Sequence, residues 1–305
     1  MYHRRPDSSL ASRYCNNMPG STCIMLRVML TVSAVASIAA TNGGQPGVRT
    51  TPPETCEGMD WYEKCQDTNL DLQGVIVGDE GAKALAAALA SGDCKLTNLK
   101  LVNNEISAEG AKAIAKALGS GKSKLIGLNI AENELYDEGA EHMAQMLEGG
   151  NSLLTTLKFS DNGIRKKGGI ALARALESGK CKLTALTLRD NGIEAEGAVA
   201  LGAALQSGNC QLTNLDLYGN RVKDEGAKAL AEAMATGNSA LEILSLRNCR
   251  VEDEGAVALG NAIASGKTKL KKLNLNGAFV HWPIYLANRF NRLMCKTVCI
   301  LQKMK

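Results

Sequence analysis

Leucine returns every 29 residues through most of this chain. One column runs Leu96, Leu125, Leu154, Leu183, Leu212, Leu241 and Leu270; a second runs Leu99, Leu128, Leu157, Leu186, Leu215, Leu244 and Leu273. A third holds Leu101, Ile130, Phe159, Leu188, Leu217, Leu246 and Leu275, and no insertion disturbs the phase. Each unit reads L-x-x-L-x-L-x-x-N-x-I/L/V, as in "LTNLKLVNNEI" from Leu96 to Ile106. The alternation predicts a short strand with its apolar side turned inward. Where the chain leaves that strand, Asn stands at 104, 133, 162, 191 and 220; Cys249 takes the place in the sixth full unit, and Val75 marks a degenerate opening unit.

The second half of each unit has a different period. Gly at 81, 110, 139, 168, 197, 226 and 255, usually after acids such as Asp224 and Glu225, leads into an Ala- and Leu-rich run such as "AKALAEAMA". This predicts a helix whose first-turn carboxylates suit the positive end of its dipole. A further Gly at 92, 121, 150, 179, 208, 237 and 266 stands where a helix C-terminus favours a left-handed residue. Every unit is therefore strand, turn, helix, turn. Stacked strands lie about 4.8 Å apart, whereas helices are about 10 Å across. The stack must curve, with a concave parallel sheet inside and convex helices outside, each unit burying its apolar face against its neighbours.

This pattern, over about residues 67–276, resembles the leucine-rich repeat, in the longer helical form found in ribonuclease inhibitor and NOD-like receptor repeat domains. The resemblance implies an α/β leucine-rich repeat solenoid, a horseshoe of 29-residue repeats. It also implies that Asn104, Asn133, Asn162, Asn191 and Asn220, with Cys249 in the series, form a ladder satisfying buried backbone groups between coils.

The flanks are unlike the repeats. Residues 1–53 carry five Arg and one acid, and residues 255–305 carry nine Lys or Arg and no acid; with a net charge of +4 overall, residues 54–254 hold −9. The run "VMLTVSAVASIAA", Val28 to Ala40, is too short for a membrane span and fits a signal-peptide core, so residues 1–40 are assigned as a targeting segment of a protein of the secretory pathway. Membrane-anchored, organellar and cytosolic placements are the alternatives. Residues 41–66 read as a linker and N-terminal cap, in which Cys56 and Cys65, flanking "EGMDWYEK", are expected to form a disulfide. Residues 277–305 read as a basic C-terminal cap or tail, with Phe290, Leu293, Val298 and Leu301 at helical spacing. Membrane contact is expected only through these two ends.

Chemical motifs fail on inspection. In "LTLRDNGIEAEG", Leu186 to Gly197, a calcium loop aligned on Gly192 would need ligands where the chain has Thr187, Arg189 and Ala198. "GSGKS" from Gly119 and "GNAIASGKT" from Gly260 miss the phosphate-loop spacing and sit at helix ends. His3, His142 and His281 form no zinc or catalytic pattern. Basic residues have no aromatic interleaving of the sort that stacks bases, which argues against a nucleic-acid partner. No catalytic residue, metal or cofactor is assigned.

A solenoid is free to vary where its concave strands and adjoining turns face outward. Those columns supply the candidate partner-binding residues Lys100, Lys158, Thr187, Arg189, Asp190, Asp216, Tyr218, Arg221, Arg247 and Arg250. Tyr and Arg are favoured interface anchors, which centres the surface on Tyr218. The function that follows is a non-catalytic scaffold for a protein partner, a sensing or inhibitor module; the resemblance leaves ribonuclease inhibition and Ran-type GTPase activation as alternatives. Aromatics make up 4% of the chain, and Trp61 and Trp282 both lie outside the regular units. Expression with a C-terminal tag and sequencing of the mature N-terminus is expected to show cleavage after Ala39 or Ala40; retention of Met1 on a cytosolic protein would overturn that assignment.

Overall fold

The fold is that of a computed structural model, and the structure describes residues 59–275. Eight three-residue strands form one parallel sheet in chain order: β1 (Asn69–Asp71), β2 (Asn98–Lys100), β3 (Gly127–Asn129), β4 (Thr156–Lys158), β5 (Ala185–Thr187), β6 (Asn214–Asp216), β7 (Ile243–Ser245) and β8 (Lys272–Asn274). The short helix α1 (Trp61–Lys64) precedes β1. The helices α2 (Gly78–Ala90), α3 (Ala108–Gly119), α4 (Tyr136–Gly149), α5 (Lys166–Glu177), α6 (Ala195–Gln206), α7 (Lys223–Thr236) and α8 (Asp253–Ala264) each follow one strand. Coil n denotes the unit that opens with βn. This is the expected α/β solenoid.

Register and period are the same thing here. Each strand residue pairs with the residue 29 positions on, so Leu99, Leu128, Leu157 and their equivalents stand side by side. A slip of one residue would turn every leucine to solvent. Burial follows the alternation: Leu99 and Leu101 are buried while Asn98 and Lys100 are exposed. From the other layer, α3 buries Ala111, Ile114, Ala115, Ala117 and Leu118 and leaves Lys112 and Lys116 outside. Alanine at so many buried helical positions lets neighbouring helices approach closely, which limits the curvature that the spacing mismatch imposes.

The ladder of Asn side chains closes the turns. Asn133 Nδ2 donates to Leu101 O in the preceding coil at 2.7 Å and to Ile130 O and Ala131 O in its own turn. Its Oδ1 accepts from Asn104 N and Ile106 N of the preceding coil. One buried amide thus satisfies five backbone groups on two coils. Asn104, Asn191 and Asn220 repeat the arrangement, each accepting from and donating to the coil before. Asn162 donates in the same way, but its Oδ1 has no hydrogen-bond partner. Cys249 replaces only half of the device, its thiol donating to Leu217 O at 2.9 Å with sulfur as a weak acceptor on the other side.

The helix-start acids lie in the first turn of their own helices, as expected, and three of them also serve the next coil. Asp79 Oδ1 accepts from Ser107 N and Gly110 N, which open the helix of the next coil. Asp137 does the same for Arg165 N and Gly168 N, and Asp224 for Glu252 N and Gly255 N. The carboxylate caps its neighbour. At Gly255 a Cβ would meet this Asp224 Oδ1 at 2.6 Å, so that glycine is there to admit the carboxylate. Coils 1, 3 and 6 give such an Asp and coils 2, 4 and 7 receive it; the equivalent residues Ala108, Lys166 and Ala195 cannot. Coil 5 neither gives nor receives, and α6 has no side-chain cap.

At the N-terminal end, Asp60 caps α1 and Trp61 is buried against the core. Cys65 is disulfide-bonded to Cys94, not to Cys56 as expected. The two are one period apart, in the column that continues through Cys181 and Cys210, and stacking brings their Cα atoms to 4.7 Å. Cys56 lies outside the described residues, as do the targeting segment and the basic C-terminal segment.

Two substitutions test these contacts. Asp224→Ala removes a cap that serves two N–H groups and is expected to lower stability by about 1–2 kcal/mol, measured by urea unfolding. Cys249→Asn restores a full acceptor to the ladder and is expected to raise stability by about 1 kcal/mol in the same measurement.

Candidate protein-binding surface

The outward strand positions carry the first candidates. Lys100 and Lys158 are exposed and Thr187 and Asp216 half-buried, all on the concave side because the alternate leucines point into the core. Lys100 is already engaged, its Nζ 2.7 Å from Asp71 on the neighbouring strand. That exposed contact lowers the Asp71 carboxyl through the hydrogen bond from Lys100 and one from Gln73.

Two residues beyond the strands the chemistry concentrates. Arg189, Tyr218 and Arg247 occupy one column of coils 5, 6 and 7, and the register makes them neighbours. The guanidinium carbon of Arg189 lies 4.8 Å from the centre of the Tyr218 ring, and that of Arg247 lies 5.8 Å from it. Both distances fall within the range of a cation–π contact. Asp216 orients the group: it accepts from Tyr218 N at 3.1 Å and pairs with Arg189 Nε at 3.4 Å. The result is a layered Arg–Tyr–Arg surface whose guanidinium groups can donate to carboxylates or carbonyls of a partner.

The other candidates divide. Asp190 belongs to the turn column Gly74, Asn103, Glu132, Asp161, Asp190, Gly219 and Asn248, every member of which has a left-handed backbone with φ between +47° and +72°. Residue type there answers first to the backbone, which Gly, Asn and Asp tolerate best. Asp190 also fills the space above Gly219. Burial raises its carboxyl, opposed by Arg189 and aided by Asp161 and Asp216. Arg221 and Arg250 are exposed but lie farther on, on the loops that climb from the strands to α7 and α8, and stand apart from the Tyr218 stack.

Among the described residues no group of three or more His, Cys, Asp or Glu could hold a metal ion. Cys181, Cys210 and Cys249 are buried free thiols. Burial pushes Cys181 up, Cys210 to about 11 and Cys249 to about 12, so the nucleophilic thiolate is scarce at neutral pH. No described helix is long and apolar enough to cross a membrane.

Comparison with known protein families agrees with the architecture. The sequence model of the Leucine Rich repeat family matches residues 92–115, 150–173, 179–202, 208–231 and 237–260. No curated protein sequence matches the chain. Among solved structures, an internalin from Listeria monocytogenes is similar at 20% identity, over 67% of this chain and 47% of its own, with a TM-score of 0.44. This chain thus spans about half the length of that protein. Each of the five matched segments begins at or beside a helix-ending glycine and carries one strand and the opening of the next helix, in phase with the eight-stranded parallel sheet: the chain is a leucine-rich repeat protein.

Proposed function

We propose that the protein is a non-catalytic scaffold that captures a protein partner on the concave side of coils 5 to 7. The observation that carries this reading is the stack of Arg189, Tyr218 and Arg247. Surface arginines usually lose conformational freedom when a partner binds; here the ring contacts both and Asp216 pairs with Arg189, which lowers the entropy cost of association. Such a surface binds and orients but transfers no group, in keeping with a sensing or inhibitor module. Ribonuclease inhibition and Ran-type GTPase activation rest on the repeat resemblance alone and rank below it, because no residue described above favours either.

A location in the secretory pathway is part of the proposal. The Cys65–Cys94 bond supports it, since structural disulfides persist in oxidising compartments.

The test is affinity capture with the tagged protein, followed by binding measurements with the purified partner. Tyr218→Ala is expected to weaken binding at least tenfold, about 1.4 kcal/mol, and Arg247→Ala to weaken it less. Neither should alter the unfolding free energy by more than about 1 kcal/mol, because both side chains sit at the surface. Undiminished binding by Tyr218→Ala would remove the proposed site.

A further inference from the structure

A second surface, independent of the concave stack, runs along the rim where the loops climb from strand to helix. Its first column reads, from coil 2 to coil 7, Glu105, Glu134, Gly163, Gly192, Arg221 and Arg250. The four charged members are exposed, and none forms an ion pair among the described residues. The column is acidic at one end, uncharged in the middle and basic at the other. It is antisymmetric about the point between coils 4 and 5.

That symmetry has a physical consequence. Consider a twofold axis in the plane of the rim, pointing along the radius of the horseshoe between coils 4 and 5. Rotation about it lays one rim on another, superimposes the two arcs and reverses the order of coils, so coil 2 meets coil 7, coil 3 meets coil 6 and coil 4 meets coil 5. Glu105 of one protomer then faces Arg250 of its partner, Glu134 faces Arg221, and Gly163 faces Gly192. Closed twofold symmetry makes each pair occur twice.

The inner four positions of the column two residues farther on obey the same operation, while its outer pair, Ser107 and Glu252, adds no charge complement. Arg165 faces Glu194, an opposite-charge pair, and exposed Tyr136 faces Lys223, an aromatic ring and a cation. Tyr136 and Arg165 lie over the two central glycines: a Cβ on Gly163 would meet the Tyr136 ring at 2.8 Å, and one on Gly192 would meet Arg165 Cγ at 3.1 Å. The centre of the rim is therefore covered by the side chains that the rotation pairs. One contact opposes the arrangement. Asp161 and Asp190, nearer the concave edge, meet across the axis, with Arg189 beside Asp190 to offset part of the repulsion.

We infer that the loop rim of coils 2 to 7 is a self-complementary surface on which a second copy of this chain docks antiparallel. A foreign partner would demand complementarity to itself; only a second copy demands that the charge pattern be the inverse of itself about one point. The contacts are exposed ion pairs, so the association is weak and strongly weakened by salt. Arg250 and Glu105 hold left-handed backbones, φ +56° for each, in coils where coil 4 uses Gly163. Charged side chains are kept there against the backbone's preference for glycine.

Sedimentation velocity of the full chain tests the inference. A dimer is expected at about 50 mM salt and a monomer at about 1 M, where the screening length falls to about 3 Å. The double variants Arg221→Glu with Arg250→Glu, and Glu105→Arg with Glu134→Arg, should each be monomeric alone at low salt. Mixed in equal amounts they should form a heterodimer, because each reversed half then meets its complement. The unfolding midpoint of each variant establishes that it is folded, and the salt response of the unaltered chain stands on its own should a variant fail. Tyr218→Ala should leave dimerisation unchanged. A monomer at every salt concentration, dimeric single-type variants, or reversed variants that do not pair on mixing would overturn it.

Discussion

A coil that leaves its strand after three residues must turn inside a packed wall, where water cannot reach its peptide groups. Unpaired groups in such a place are costly, and the Asn ladder removes that cost. Each amide reaches two turns: its NH2 serves carbonyls of its own coil and of the one before, and, at every Asn but Asn162, its oxygen serves N–H groups of the one before. This reach works only if consecutive coils are stacked without a shift. The 29-residue period, the in-register sheet and the leucine core all follow from keeping that side chain within hydrogen-bond distance of two backbones.

Much of this was legible in the sequence because a solenoid turns sequence spacing into spatial proximity. Columns of Leu and Asn named the core and the ladder, and Arg189, Tyr218 and Arg247 could be grouped because residues one period apart become neighbours. What escaped were relations between different columns. Asp224 stands beside its own helix in the sequence, yet its side chain caps the next one, a choice set by the offset between stacked helices. Cys65 precedes the first regular leucine and looked like part of a separate cap; counted by the period it belongs with Cys94. Asp190 read as variable surface, whereas its backbone angle assigns it to a turn that every coil shares.

Two kinds of surface coexist on this frame. On the concave side, unlike residues in a column are locked together by a ring and a carboxylate into one local feature. Along the rim, the information lies in the order of residues over six coils and in no single contact. The first suits recognition at a point; the second suits alignment along a line. Neither disturbs the core, since the inward leucines and the ladder use other positions of the same repeat.

The cross-coil caps also divide the array. An Asp caps across from coil 1 to 2, coil 3 to 4 and coil 6 to 7, while coil 5 neither gives nor receives such a cap and is joined instead by surface ion pairs, Lys166–Glu196 to coil 4 and Arg189–Asp216 to coil 6. In a linear stack, stability is the sum of each unit and its interfaces with the next, so partial opening costs least where an interface has fewest bonds. Arg189 projects from coil 5 and is held by Asp216 and Tyr218 of the next. A ligand that grips all three clamps coil 5 to coil 6, and the energy of capture becomes cohesion of the array.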